Sequence, residues 1–417
     1  MKKLITIITC FVLAFGACFA LVGCKKTNKK SSNSTENVIS NGGMAVVKND
    51  IMYFVDGGEE NAKIYKVNVD ENGEFLSAPT VFVKDAIANK NGSIHIFGDY
   101  LYYAALSTDK TSSGEVQSGI IKFKRIALGG GKAQVLYTTK SEDETKLQYA
   151  YYPSGNNDLY LVVYEGSKGT ITSVDVGTNP TKSVIASDVT GVLLSENGNN
   201  EGANAYVYYT HAKDKTLSNQ TGNVVERISP DGSNKTKIST KDVTYTLITI
   251  ADNKLIYSDA SYIFASSGEL LSSQDDILSY LPSSTYGQIK YFGNKLVVLA
   301  TINAESTKKY QIWQLQYVDG ELQKTIIKNS ADEKTEFICA SNGKLYYSVD
   351  DLPYVIEITE NGTNKKLSTT TVEEFEGYIA PEVIGGYLYF MHKDDGAQKA
   401  YRISIFETEA TAAEKLV

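Results

Sequence analysis

One short strand signal recurs eight times along this chain: a turn containing Asn, Asp or Gly, then an apolar and aromatic run. It appears as Ile51-Met52-Tyr53-Phe54, Tyr100-Leu101-Tyr102-Tyr103, Asp158-Leu159-Tyr160-Leu161 and Tyr206-Val207-Tyr208-Tyr209. It returns as Lys254-Leu255-Ile256-Tyr257, Lys295-Leu296-Val297-Val298, Lys344-Leu345-Tyr346-Tyr347 and Tyr387-Leu388-Tyr389-Phe390. The second residues of these runs are separated by 49, 58, 48, 48, 41, 49 and 43 positions. A period in the forties built from strands is the period of a propeller blade.

Each unit can be filled in with four strands. The unit around Leu345 reads as strands near 337–340, 345–349, 354–359 and 365–368; the unit around Leu296 reads as 288–292, 296–302, 310–318 and 322–328. Tight-turn chemistry follows the third strand as Asp70-Glu71-Asn72-Gly73, Gly129-Gly130-Gly131, Pro230-Asp231-Gly232, Asp319-Gly320 and Glu360-Asn361-Gly362. Such turns supply the positive φ of hairpins, so the strands pair antiparallel. No segment carries a sustained helical period, although residues 275–281 read as one helical turn inside a loop.

A length of 417 residues suggests two or three domains, at about 150 residues each. The repeat replaces them with one body: an all-β chain forming a single β-propeller of four-stranded antiparallel blades over residues 41–417. Eight blades are favoured. Seven are possible if one unit is an insertion, and the 58-residue step from Leu101 to Leu159 is where extra material would lie. The ring is expected to close with each terminal blade using its own strands, near 43–47 and 415–417. The alternative is a swapped closing strand from residues 36–39.

The repeat resembles that of a bacterial propeller family of unknown function, itself similar to the YWTD-like propeller of the low-density lipoprotein receptor. Here Tyr-Tyr followed by Ser, Thr or Ala stands where that receptor carries YWTD. The resemblance implies an architecture and an extracytoplasmic setting, and no catalytic residues.

The N-terminus supplies an address. Lys2 and Lys3 precede residues 4–22, which carry no charge. That run is long enough to span a membrane, but Leu21-Val22-Gly23-Cys24 closes it. This tetrad resembles the lipobox of bacterial lipoproteins, which implies cleavage after Gly23 and a mature chain anchored to the membrane by diacylated Cys24. Residues 1–23 are then a signal peptide, and residues 24–40 a tether in which Lys25, Lys26, Lys29 and Lys30 lie next to the lipid. Cys10 and Cys18 leave with the signal peptide, so Cys339 remains as a lone thiol, expected to behave as a small buried apolar residue. The richness in Lys, Asn, Ile and Tyr, with little Pro or Trp, points to a Gram-positive surface.

Charge narrows the partners. The net charge of −8 argues against nucleic acid. Residues 1–23 carry two Lys and no acid, so the mature chain has −10; the tether's four Lys and one Glu leave −13 on residues 41–417.

Catalytic signatures are sparse. His95, His211 and His392 fall on three different units. His95, in Ser93-Ile94-His95-Ile96-Phe97, belongs to an innermost strand and is placed at the channel wall or in the core. No HExxH, GxSxG, P-loop or GxGxxG pattern occurs, and neither metal nor cofactor is expected. The segment from Asn68 to Gly73 begins like a calcium loop, but position 12 is Pro79 instead of a bidentate Glu, so it reads as a plain turn. The 29 Tyr fall mostly in the repeated strands, where they suit sheet packing.

Loops carry function on rigid scaffolds. The long connections are expected at residues 106–119, 210–222, 272–285, 328–335 and 368–377. Acidic residues cluster in these and similar loops: Asp56, Glu59 and Glu60; Glu142, Asp143 and Glu144; Asp275 and Asp276; Asp332 and Glu333; Glu373, Glu374 and Glu376. They predict an acidic rim able to attract a cation or a basic partner. The first expectation is a non-enzymatic, monomeric, membrane-anchored module that binds or scaffolds a protein or cell-wall glycan. The alternative is a carbohydrate-binding protein or carbohydrate-active enzyme, with Tyr, Trp313 and loop carboxylates at the channel mouth.

Overall fold

The structure, a computed structural model, describes residues 43–417 except 111, 117–118, 141–145, 155–157, 196–204, 213–221, 239–243, 252–253, 259–261, 267–275, 283–285, 293–294, 305–306, 319–320, 330–333, 342, 359–362, 372–380 and 395–396. Among the described residues there is no α-helix, and 32 strands form eight four-stranded antiparallel sheets, each consecutive in sequence. Each repeated run is the second strand of its own sheet. This is a β-propeller.

Four sheets build the ring closure and the inner-strand cluster. Sheet 1 comprises Ala45–Lys48, Ile51–Gly57, Ala62–Asn68 and Thr80–Ala86; sheet 2 comprises His95–Phe97, Tyr100–Leu106, Ile121–Ala127 and Gln134–Thr138. Sheet 3 comprises Leu147–Ser154, Asp158–Glu165, Thr170–Asp175 and Thr181–Ala186. Sheet 8 comprises Glu382–Ile384, Tyr387–Asp394, Ala397–Ser404 and Glu414–Lys415; between them, sheet 4 comprises Val189–Leu193, Val207–Ala212, Asn223–Ile228 and Thr236–Lys237, sheet 5 comprises Thr246–Ala251, Lys254–Ser258, Tyr262–Ser266 and Asp276–Pro282, and sheet 6 comprises Tyr286–Phe292, Lys295–Ala304, Thr307–Val318 and Glu321–Asn329. First strands of most neighbouring sheets touch one another, including the first and last, so they form the innermost layer.

The Leu-Tyr-Tyr run has a physical explanation. A second strand lies inside its sheet and is covered on both faces by neighbouring sheets. Alternate residues therefore enter different cores. Leu101 and Tyr103 pack toward sheet 1, whereas Tyr102 and Ala104 pack toward sheet 3. Leu345 and Tyr347 face one neighbour while Tyr346 faces the other. A strand buried on both sides needs an unbroken apolar run instead of alternation, and Tyr fills it while its hydroxyl finds a partner at the edge. Tyr103 donates to Asp85, Tyr209 to Glu226 and Tyr347 to Asn364.

Sheet 8 is completed by Glu414–Lys415 and sheet 1 by Ala45–Lys48, so among the described residues no strand is exchanged at closure; residues 36–39 lie outside them. The two sheets are joined by side chains instead. Asp56 is 3% exposed; its carboxylate accepts the Ala400 amide at 2.7 Å and pairs with Lys399 at 3.3 Å. Arg402 reaches across to the turn that ends the third strand of sheet 1. Its Nη1 donates to the Gly73 carbonyl at 3.1 Å, its Nη2 pairs with Glu74 at 3.1 Å, and its Nε donates to Glu414 at 2.7 Å. The guanidinium lies over the rings of Phe75 and Tyr387. Gly385, at φ +58°, lets this turn dock, because a Cβ there would lie 2.4 Å from the Asn72 carbonyl.

Replacing Asp56 by alanine strands a buried amide and removes the partner of Lys399. The expected cost is about 2–4 kcal/mol of unfolding free energy, read from urea denaturation. An unchanged midpoint would exclude this carboxylate as a closure contact.

One sequence expectation changes. Residues 275–281 were expected to turn helically, but Asp276–Pro282 is the fourth strand of sheet 5, paired with Tyr262–Ser266. Its run Ile277-Leu278-Ser279-Tyr280-Leu281 completes a sheet that propensity alone could not complete. The 58-residue step adds no unit of its own: its extra length falls in the connection between Leu106 and Ile121 and in the segment before Leu147. The Asn68–Gly73 segment is a self-capped turn in which Asp70 Oδ1 accepts the amides of Asn72 and Glu74, each at 2.8 Å.

Candidate functional site

The connection from sheet 1 to sheet 2 is unusual for a loop. Residues 87–89 and 91–97 are buried, and they include Asn89, Asn91, Ser93 and His95. Connections ordinarily run over the surface because their polar groups need water. Here several of these groups bond to one another. Asn89 Oδ1 accepts the Asn91 amide at 2.9 Å, and the Gly92 amide donates to the Asn89 carbonyl at 2.7 Å. Only glycine fits at position 92, since a Cβ would lie 2.2 Å from the Ile87 carbonyl.

This segment delivers His95 to the first strand of sheet 2, opposite Tyr149 and Tyr151 of the first strand of sheet 3. Ser93 Oγ lies 3.1 Å from His95 Nε2 and 2.5 Å from the Tyr149 hydroxyl, which donates to the Asn91 carbonyl at 2.8 Å. The directions follow from this last bond. Tyr149 spends its proton on Asn91, so Ser93 donates to Tyr149 and in turn accepts from His95 Nε2–H. The imidazole therefore carries its proton on Nε2 and leaves a bare Nδ1. Tyr151 packs against it in a tilted arrangement, with the ring centroids 4.6 Å apart and the planes at 54°. His95 is fully buried, and burial lowers its pKa from 6.5 to about 3. Tyr149 is half-buried, and burial raises its pKa.

The chemistry of this cluster is constrained. A Ser–His nucleophile pair needs an imidazole that can take a proton, usually with a carboxylate behind it. His95 stays neutral at physiological pH, and among the described residues no carboxylate contacts it. The cluster is a fixed array of neutral donors and acceptors against aromatic rings, not a proton sink.

The other histidines stay apart. His211 Nε2 lies 3.4 Å from Glu226 on sheet 4, and His392 stands edge-on to Tyr401 on sheet 8. Among the described residues no group of three His, Cys, Asp or Glu side chains could hold a metal. Cys339 is only partly buried; burial first, and Glu382 second, push its thiol pKa up.

Of the expected acidic rim, Glu59 and Glu60 are exposed. Asp56 is not at the rim, because it is buried in the contact between sheets 1 and 8. Glu142, Asp143, Glu144, Asp275, Asp332, Glu333, Glu373, Glu374 and Glu376 lie outside the described residues, as do Gly23 and Cys24; Asp276 is described only as backbone of its strand. Trp313 was expected at the channel mouth. It is 4% exposed in the third strand of sheet 6, with its indole N–H on Gln311 and Lys324 over its ring.

Sequence reasoning missed the third-strand arginines. Arg125, Arg227 and Arg402 each precede Ile and lie over a Tyr of the repeated run: Tyr100, Tyr206 and Tyr387. Arg125 also reaches the next sheet, donating to the carbonyls of Val176 and Gly177. The recurring Arg-Ile pair after a Tyr-x-Tyr run was the available signal.

The fold places the chain among propellers, and solved propellers resemble it. A prolyl endopeptidase matches with a TM-score of 0.51 at 11% identity, covering 88% of this chain and 54% of that one. An oligogalacturonate lyase in complex with manganese matches at TM-score 0.40 and 13% identity, covering 86% of each chain. The polysaccharide lyase Uly1 matches at TM-score 0.44 and 11% identity, covering 82% of this chain and 92% of that one. The chain spans about half the length of the prolyl endopeptidase. No family model and no curated protein sequence matches it. The expectation of a non-catalytic scaffold, and of a chain that is no enzyme, is corrected to this extent: the prolyl endopeptidase that it resembles in fold is an enzyme. At these identities the likeness is one of fold.

Proposed function

We propose that this chain is a carbohydrate-active protein that handles a saccharide along the inner strands of its propeller. The observation that carries the reading is the neutral array of Asn91, Ser93, His95 and Tyr149 set against aromatic rings. Sugars present apolar faces and uncharged hydroxyls, and aromatic rings with fixed neutral hydrogen-bonding groups match both. Peptidase chemistry fits these residues less well, because His95 lacks both a carboxylate partner and a usable basicity.

We place the protein at the outer face of a bacterial membrane, anchored through diacylated Cys24. The Leu21-Val22-Gly23-Cys24 tetrad after a charged start and an apolar run supports this. The style of the repeat supports kinship with receptor-like bacterial propellers.

The test is to incubate the full chain with polygalacturonate, a neutral glucan and a proline-containing peptide. New chain ends from at least one polysaccharide, with the peptide intact, are expected. Cleavage of the peptide alone, or no action on any polysaccharide, would overturn the reading. Replacing Tyr149 by phenylalanine should lower polysaccharide turnover at least tenfold with little loss of fold.

A further inference from the structure

His211 lies at the loop end of the second strand of sheet 4, and its ring meets two acceptors at once. Nδ1 is 2.9 Å from the Ala212 carbonyl, and Nε2 is 3.4 Å from Glu226 Oε2. A carbonyl oxygen only accepts, so Nδ1 carries a proton. Burial would raise the Glu226 pKa, but hydrogen bonds from Tyr209 and Lys235 lower it, so Nε2 faces an ionised carboxylate. A neutral imidazole has one proton. Whichever nitrogen takes it, the other turns a lone pair on an acceptor. Only the imidazolium serves both contacts.

The structure assigns His211 as a proton-operated latch: its imidazolium holds the loop end of the sheet 4 hairpin to Glu226, and loss of one proton releases it. Imidazole is the side chain that changes charge between pH 5 and 8. The His211 side chain is 28% exposed, open enough to exchange protons with water, whereas that of Glu226 is only 13% exposed. Partial burial keeps the pair from being screened as an open surface pair is.

The groups around the latch determine which part moves. Tyr209 donates to Glu226 Oε2 at 2.6 Å, and Lys235 lies 3.0 Å from the same oxygen. Lys237 stands opposite Glu226 in the fourth strand. Beside the first strand, Asp188 takes the Ser187 hydroxyl at 3.4 Å. From sheet 3, Tyr164 donates to the Val189 carbonyl at 3.3 Å, and Lys168 pairs with Glu165 at 3.6 Å. When His211 discharges, Lys235 and Tyr209 still hold Glu226, so the imidazole is the part that leaves.

The release lies one residue pair from the joint with sheet 5. His211 pairs with Val224, and Ala212 with Asn223. Asn223 Nδ2 donates to the Tyr245 carbonyl at 2.8 Å, and its Oδ1 accepts the Tyr245 amide at 2.7 Å. Tyr245 directly precedes the first strand of sheet 5. The latch therefore controls the strand ends that this asparagine joins to the next sheet.

The full chain carries three histidines, so selective 15N-histidine labelling reads the ring, with His95→Gln and His392→Gln variants fixing the assignment. Both nitrogens of His211 should be protonated at pH 5 and only one at pH 8. A bare nitrogen at pH 5, or two protons at pH 8, overturns the latch. Hydrogen exchange, corrected for intrinsic rates, reads the release. Protection of residues 211–212 and 223–224 should fall about two- to fivefold from pH 5 to pH 8, the range for one partly exposed ion pair. His211→Gln and Glu226→Gln should each abolish this difference. Equal protection at both pH values in the wild type, or the same fall in either variant, overturns the latch. The wild-type measurements decide even if a variant fails to fold.

Discussion

Replacing Arg402 by alanine lowers the unfolding free energy by about 3–5 kcal/mol, the range for removing one partner of a buried charged network. The side chain is 5% exposed and serves five contacts at once. Its loss removes the shorter of two hydrogen bonds to the buried Gly73 carbonyl, leaving the Tyr389 hydroxyl at 3.4 Å, at a cost of roughly 1 kcal/mol. Two cation–π contacts go with it, each about 0.5–2 kcal/mol. Glu74 and Glu414 contribute less, because their side chains are about half exposed, at 49% and 59%, and return readily to water. Arg402→Lys keeps the charge but not the fork, so it should recover at most about half of the loss. Urea denaturation measures the total. Hydrogen exchange locates it: protection should fall first in residues 62–76 and 397–404, where sheets 1 and 8 meet. If those segments stay protected while distant ones open, Arg402 is not what holds the ring closed.

The second large effect is acid sensitivity from His95. Its pKa falls from 6.5 to about 3 because burial disfavours the imidazolium. The unfolded chain therefore binds a proton below pH 6.5 that the folded protein refuses until about pH 3. Stability is full above pH 6.5 and declines as the pH falls between these two values, at up to about 1.4 kcal/mol per pH unit. The whole window amounts to about 4–5 kcal/mol as an upper bound. The groups facing the ring are Ser93, Tyr149 and Tyr151, none of which becomes charged in that range. Glu226 adds to the decline in the acid range, because its pKa is lowered by Tyr209, Lys235 and His211 despite its burial. His95→Gln keeps a donor toward Ser93 and cannot titrate. Denaturation from pH 7.5 to 4.5 should show the wild type losing stability faster than this variant. Parallel curves would mean that His95 is not the acid-sensitive group.

How far the sequence reached depended on the physics behind each feature. Met52, Leu101, Leu159 and the five later counterparts were legible because a strand buried on both faces must be apolar throughout, and that requirement repeats with the blade. The Asp-Gly and Asn-Gly turns were legible because positive φ restricts the residue locally. The strand at Asp276–Pro282 was misread because its pairing energy comes from Tyr262–Ser266, and its own composition is ambiguous. Trp313 and Asp56 were misplaced for a similar reason: a bulky aromatic or a carboxylate looks like a surface feature until a neighbouring sheet covers it.

The sequence by itself determined the period, the number of strands per unit, the antiparallel pairing and the tight turns, since each depends on residues close together in the chain. Tertiary structure alone decided the rest. Glu74 and Arg402, 328 positions apart, meet only because the ring closes. Ser93 and Tyr149, 56 positions apart, meet only because two inner strands pack side by side. Contacts over such separations leave no local period to read, so the closure and the candidate site became visible only in the folded chain.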